Sequence, residues 1–213
     1  MLRKKTKHMK PSSIFSFLRV ATGFLFYSLI VITLAVIVIS LLKFLGNSIG
    51  MAKSVFSYEV LAFGAENSTP EMHYSADKLV QYTSIPNRYH LEVEPTSVLG
   101  YYSFFSTVVN LLLGIFILWL FKCIFSEANL AEPFKLSIFK RLKMLALVFV
   151  ISDVFKFANY LIFSRLLHRS ISTPEFQYIT EIGNGIITGL IIYAIAVIYQ
   201  RGLSIQEENA LTV

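Results

Sequence analysis

Four apolar stretches, Val20–Leu42, Val98–Phe121, Met144–Ser164 and Ile182–Gln200, each run about as far as a helix must to cross a bilayer. The first carries no charge from end to end. At roughly 1.5 Å per residue it reaches about 35 Å, more than a hydrocarbon core of about 30 Å. Helices this long and this uniformly apolar have lipid as their solvent. The expected fold is therefore an all-α integral membrane protein with four transmembrane helices. Its parts are a basic N-terminal segment at 1–19, a membrane domain at 20–200 and a tail at 201–213. A small extracytoplasmic insertion at 46–96 separates the first two spans.

Charge follows the same plan. The chain is 55% hydrophobic, its mean hydropathy is +0.63, and 19 basic residues outweigh 13 acidic ones. A net charge of +6 invites a nucleic-acid reading. The basic residues, however, collect beside the apolar runs and form no stripe along a soluble helix, so membrane orientation explains them better and direct nucleic-acid binding is not expected. Arg3, Lys4, Lys5, Lys7, Lys10 and Arg19 precede the first run, which is about twice as long as a signal-peptide core and lacks a small-residue cleavage pattern after it. The expectation is an uncleaved signal anchor with the N-terminus in the cytoplasm. Lys122, Lys135, Lys140, Arg141 and Lys143 then place the second loop on the same side if all four runs span, and both termini are expected in the cytoplasm. Cys123 is the only cysteine; it excludes an intrachain disulfide and reads as a packing residue.

The third run is the least regular because Asp153 and Lys156 lie near its middle. Each costs about 2.5 to 3.5 kcal/mol to insert. Roughly a dozen Leu, Ile, Val and Phe side chains return about 5 kcal/mol in all. Such a helix inserts if the two charges, three residues apart on one face, neutralise each other and turn away from lipid. The competing threading lays this segment on the surface, leaving three spans and an external C-terminus.

Within the insertion, Lys78–Ser84 and Arg88–Glu94 are short runs rich in Val, Tyr and Leu, separated by Ile85, Pro86 and Asn87. Pro and Asn favour a turn, so a β-hairpin is expected. Tyr89, Leu91 and Val93 alternate with His90, Glu92 and Glu94, which gives one apolar and one wet face. Asn67-Ser68-Thr69-Pro70 reads as an irregular loop.

Two segments resemble an uncharacterised bacterial membrane family, domain of unknown function 2975. One is Ala131-Glu132-Pro133-Phe134 followed by Ser137-Ile138-Phe139-Lys140-Arg141-Leu142. The other is the ending from Arg201-Gly202 through Glu207-Glu208-Asn209-Ala210-Leu211-Thr212-Val213, in which Ala210 stands where the family has Asp. The resemblance implies a four-span inner-membrane protein with no established activity. It also implies a cytoplasmic protein partner, because members are often encoded beside a small helix-turn-helix regulator.

Asn110, Asp153, Lys156 and Thr188 fall near the centres of their spans, with Ser28 and Thr33 at comparable depth. They are candidates for a midplane polar site taking an ion, a proton or a small polar ligand. The plainer reading is interhelical hydrogen bonding that holds the bundle together. Gly185 and Gly189 have the spacing that lets another backbone approach, within the chain or in a homo-oligomer. The four histidines are scattered and no nucleophile elbow, P-loop or zinc-protease motif occurs, so neither a metal, a cofactor nor an enzyme is expected. The candidate partner-binding residues are Pro133 and Phe134 in the loop with Glu207, Glu208, Asn209, Leu211, Thr212 and Val213 in the tail. The expected role is a membrane partner or regulatory component that binds a cytoplasmic protein. The alternative is a small transporter or ligand-binding bundle worked by Asp153 and Lys156.

Overall fold

The apolar runs are the middles of longer helices. The computed structural model describes residues 11–49, 56–63, 72–75, 77–78, 80–85, 88–128, 134–171, 175–178 and 180–211. Helix α1 covers Pro11–Ile49, α2 Val98–Glu127, α3 Leu136–Ser170 and α4 Asn184–Leu211, and each is long and apolar enough to cross a membrane. The 39 residues of α1 and the 35 of α3 correspond to about 58 and 52 Å of helix. Hydropathy therefore marks the apolar middles of the helices and not their ends. The fourth helix begins at Asn184, so Ile182 and Gly183 precede it, and it continues without a break through the polar tail to Leu211. The tail expected as a separate segment from 201 is helix. Its Gln-Glu-Glu-Asn-Ala-Leu stretch offers neither Gly nor Pro to stop a helix.

Large apolar side chains cover the outer faces of all four helices; Phe24 is 70% exposed and Ile198 72%. Such surfaces suit lipid and not water. Small polar residues on the helices bond to their own backbone: Thr22 Oγ1 donates to the Leu18 carbonyl at 2.7 Å and Ser103 Oγ to that of Leu99 at 2.7 Å. The basic residues from Arg3 to Lys10, the 67–70 loop, the turn residues Pro86 and Asn87, and Pro133, Thr212 and Val213 lie outside the described residues.

The expected hairpin is present as β3 (Val80–Ile85) and β4 (Arg88–Val93), antiparallel with Tyr82 opposite Leu91 and Ile85 opposite Arg88. It is part of something larger. Strands β1 (Phe56–Phe63), β2 (Met72–Tyr74) and β5 (Glu175–Tyr178) complete a five-stranded antiparallel sheet ordered β2-β3-β4-β1-β5. An all-α fold with one hairpin thus becomes a mostly helical fold with a sheet. The added edge strand, β5, comes from the segment between α3 and α4, and Tyr178 pairs with Val60.

The chain forms two compact units, one of Met1–Val31, Leu113–Val150 and Gly185–Val213, the other of Ile32–Leu112 and Ile151–Asn184. In the second unit the alternation of β4 works as its sequence suggests: Tyr89, Leu91 and Val93 are buried, and with Val60 and Val80 they pack on Leu99 of α2 and on Phe163 and Leu167 of α3. Tyr58 and Tyr178 join Phe163, with ring centroids 5.1 and 4.7 Å from it. Burial pushes the Tyr58 phenol above its ordinary pKa, opposed by a hydrogen bond with Ser103 and reinforced by Tyr178, whose own phenol is raised by burial. Ser97 starts α2, its Oγ accepting the Gly100 N–H at 3.0 Å and donating to the Glu94 carbonyl at 2.6 Å. A side chain at Gly100 would collide with the Glu94 and Pro95 carbonyls of that tight turn.

In the first unit Leu120, Ile124, Ile138, Leu145 and Val148 form the core, with Ile192 and Tyr199 of α4 packed against it. Gly189 lets α3 approach α4: an added Cβ would lie 2.8 Å from the Ala146 carbonyl oxygen and 3.0 Å from Val150. Gly189, the second glycine of that spacing, thus serves packing within the chain.

Candidate functional site

Asp153 is the most deeply buried charge among the described residues, 1% exposed at the middle of α3. Helical periodicity puts Lys156 on the same face one turn on, and its Nζ lies 3.6 Å from Asp153 Oδ1. The other carboxylate oxygen, Oδ2, accepts the Gly183 N–H at 2.9 Å. Gly183 immediately precedes α4 and has φ of 107°, in the left-handed region that suits glycine. The carboxylate therefore sits at the N-terminal, positive end of α4, satisfying one of the backbone donors that a helix start leaves open. Desolvating Asp153 is offset from two directions, by an ammonium and by a helix end.

Of the four residues expected to form a midplane cluster, the structure joins Asp153 and Lys156. Asn110 is exposed and donates its amide to the Ser106 carbonyl of its own helix at 3.0 Å. Thr188 belongs to the other compact unit. The partner that Asp153 does find, Gly183, is a backbone group thirty residues away, and no side-chain pattern announces it. The one available signal is a glycine directly before an apolar helical run, the usual mark of a backbone that must turn sharply.

A second constellation lies in the first unit, where the 134–143 segment meets the end of α4. The Tyr199 hydroxyl accepts the Lys135 N–H at 2.8 Å, and the Phe134 and Tyr199 rings meet edge to face with centroids 5.1 Å apart. A Cβ on Gly202 would run into the Phe134 ring. Sequence reading placed Phe134 among the partner-binding residues; it is half-buried, and its ring is already engaged by α4. Arg141 bonds Glu127 Oε1 at 2.7 Å and donates to the Cys123 carbonyl at 2.9 Å, while Ser137 Oγ donates to Glu127 Oε2 at 2.5 Å. Arg19 donates to the Ser126 carbonyl in the last turn of α2 at 2.8 Å. Lys122 donates to the Tyr27 hydroxyl at 3.0 Å and stands over the Phe26 and Tyr27 rings. Cations that read as orientation signals also tie three helices together, Arg19 and Lys122 linking α1 with α2 and Arg141 linking α3 with α2, while the Phe134–Tyr199 contact fastens α4. On the α4 continuation Glu207, Glu208, Asn209 and Leu211 are exposed.

The described parts of both segments that carried the resemblance fall in this constellation, and a sequence model of one family matches residues 60–213. The chain belongs to the family described as protein of unknown function (DUF2975). The DUF2975 match begins in β1, so it takes in the sheet, α2, α3 and α4, including Asp153, Lys156, Gly183 and the Phe134–Tyr199–Gly202 contact. Helix α1 precedes it. Neither the curated proteins nor the solved structures contain a match to the chain. Among the described residues no group of His, Cys, Asp and Glu side chains converges to hold a metal ion.

Proposed function

We propose that this DUF2975 protein is a non-enzymatic component of the bacterial cytoplasmic membrane, threaded four times with both termini in the cytoplasm, whose cytoplasmic face binds a protein partner. The threading draws its support from the β5–β1 pairing. A sheet whose strands exchange backbone hydrogen bonds cannot straddle a bilayer. The segment between α1 and α2 and the segment between α3 and α4 then share one side, which requires α2 and α3 both to cross or neither to cross. A surface-lying α3 beside three crossing helices would put them on opposite sides. The basic second loop favours the arrangement with that loop inside.

The observation that carries the partner reading is the Phe134–Tyr199–Gly202 contact, which fastens loop and tail into one face. Beyond it α4 projects a solvated turn bearing Glu207 and Glu208, a shape suited to docking along a helix. The partner class is a small, basic cytoplasmic protein, and a small helix-turn-helix regulator, the partner that the family resemblance implies, is the first to test. Co-expression with such a regulator and affinity capture through an N-terminal tag should recover it with the intact chain. The Glu207→Lys/Glu208→Lys variant, which keeps the helix, should lose most of it. Equal recovery by both forms refutes the reading. The use of Asp153 and Lys156 as transport groups has less support, because the carboxylate is already engaged by an ammonium and a helix end.

A further inference from the structure

An open groove of about 630 Å³ runs along one face of α3 and the facing side of α4, within the size range of small-molecule sites. Its floor is the close approach at Gly189 and Ala146. The walls are apolar, with Leu147 and Val150 from α3 and Leu190 and Tyr193 from α4. At one end stand two cations, Lys140 and Lys143, three residues apart and so on the same helical face. Both ammonium-bearing side chains are exposed, and no carboxylate lines the groove among the described residues.

The depth of this groove matches one leaflet. From Lys140 to Val150 is about 15 Å of helix, half a hydrocarbon core of about 30 Å. Positive charge sits where a headgroup would lie and apolar wall runs from there toward the bilayer centre. We infer that the α3–α4 groove is a binding site for one anionic phospholipid of the leaflet that faces Lys140 and Lys143, its phosphate on the two ammonium groups and an acyl chain along Leu147, Val150 and Leu190. A polybasic end attracts anionic headgroups, and the groove adds what a flat helix surface lacks, a trough that holds one chain. This site requires only that α3 and α4 lie in a bilayer, and it stands whether or not a cytoplasmic protein binds.

The test is native mass spectrometry of the full chain released from mixed micelles holding phosphatidylglycerol and phosphatidylcholine in equal amounts. The wild type should retain one phosphatidylglycerol in preference to phosphatidylcholine by about tenfold to thirtyfold, the effect of two near-surface lysines. Lys140→Gln/Lys143→Gln should reduce the preference to near unity while still retaining lipid, and Lys140→Arg/Lys143→Arg should keep it. Leu147→Trp, which fills the trough, should lower retention of both lipids. Equal retention of the two lipids by the wild type, or an unchanged preference in the Gln variant, overturns the assignment. A lipid-free wild-type dimer that Leu147→Trp converts to monomer also overturns it, by making a second copy of the chain the occupant.

Discussion

Replacing Asp153 and Lys156 singly and together isolates the interaction that lets a charged helix sit among apolar ones. At 3.6 Å, with an effective dielectric of about 20, two unit charges attract by about 4 to 5 kcal/mol. The Lys156 side chain is 40% exposed, so solvent screening and the loss of its rotamer freedom reduce this to about 1 to 2 kcal/mol. Asp153→Asn keeps an oxygen to accept the Gly183 N–H and removes only the charge, whereas Asp153→Ala removes both. The Asn variant should lose about 1 to 2 kcal/mol. The Ala variant should lose about 3 to 4, the added part being the Gly183 donor left without its acceptor at the helix start. Reversible unfolding in mixed detergent micelles measures each variant, and Lys156→Met completes a double-mutant cycle. The coupling should be about 1 to 2 kcal/mol. A coupling below about 0.3 kcal/mol, within the additivity expected of independent sites, refutes the pairing as the source of tolerance for charge in α3.

Gly189→Val should separate α3 from α4 and lower stability by about 2 to 3 kcal/mol, while Gly23→Ala, where an added Cβ meets nothing within 4 Å, should stay within about 0.5 kcal/mol of wild type; the same unfolding assay compares them. Gly202→Ala should destabilise through the Phe134 ring, and adding Phe134→Ala should relieve part of that loss, a rescue absent if the two positions act independently. Ser97→Ala should reduce the stability of the sheet-bearing unit by about 1 kcal/mol, read by amide exchange in β3 and β4. The raised phenols of Tyr58 and Tyr178 bind protons more tightly folded than unfolded, so their contribution is complete below about pH 10 and declines as pH rises through the folded values. Phenolate absorbance should lose late-titrating signal in Tyr58→Phe and Tyr178→Phe variants, and loss of signal at the ordinary tyrosine pKa instead would contradict the packing around Phe163.

How much of this was legible follows from range along the chain. The four apolar cores and the β3–β4 hairpin depend on neighbours in sequence, and alternation at Tyr89, Leu91 and Val93 announced the buried face correctly. Helix ends were less legible, because the polarity change after Gln200 marks departure from apolar surroundings while the backbone, given Gln, Glu and Ala, simply continues as helix to Leu211. Strand β5 has four residues and pairs with β1 more than a hundred positions earlier, so nothing local separates it from loop. The same limit applies to the candidate site. The Asp153/Lys156 spacing was readable as a pair, but the Gly183 N–H and the Tyr199–Lys135 contact are backbone partners that no residue type encodes.

These distant contacts bear on how a chain with a marginal third helix could hold the proposed threading. Alone, α3 would gain about as much from its apolar side chains in a bilayer as its two charges would lose, so in the proposed threading its insertion depends on what meets Asp153. The group that meets it is the start of α4, and the segment just before α4 carries β5, which pairs with β1. Neutralising Asp153 and completing the sheet are therefore linked through the stretch from 175 to 183. A chain in which β5 cannot pair loses a constraint on Gly183 and with it one support for the charge in α3. Phe176→Pro/Gln177→Pro removes two successive backbone donors in β5, which point to opposite sides of the strand so that one faces β1, without touching either charge. If the two events are coupled, this variant should weaken the Asp153–Lys156 coupling in the double-mutant cycle by at least half. An undiminished coupling would mean that the carboxylate and the sheet stabilise the fold independently.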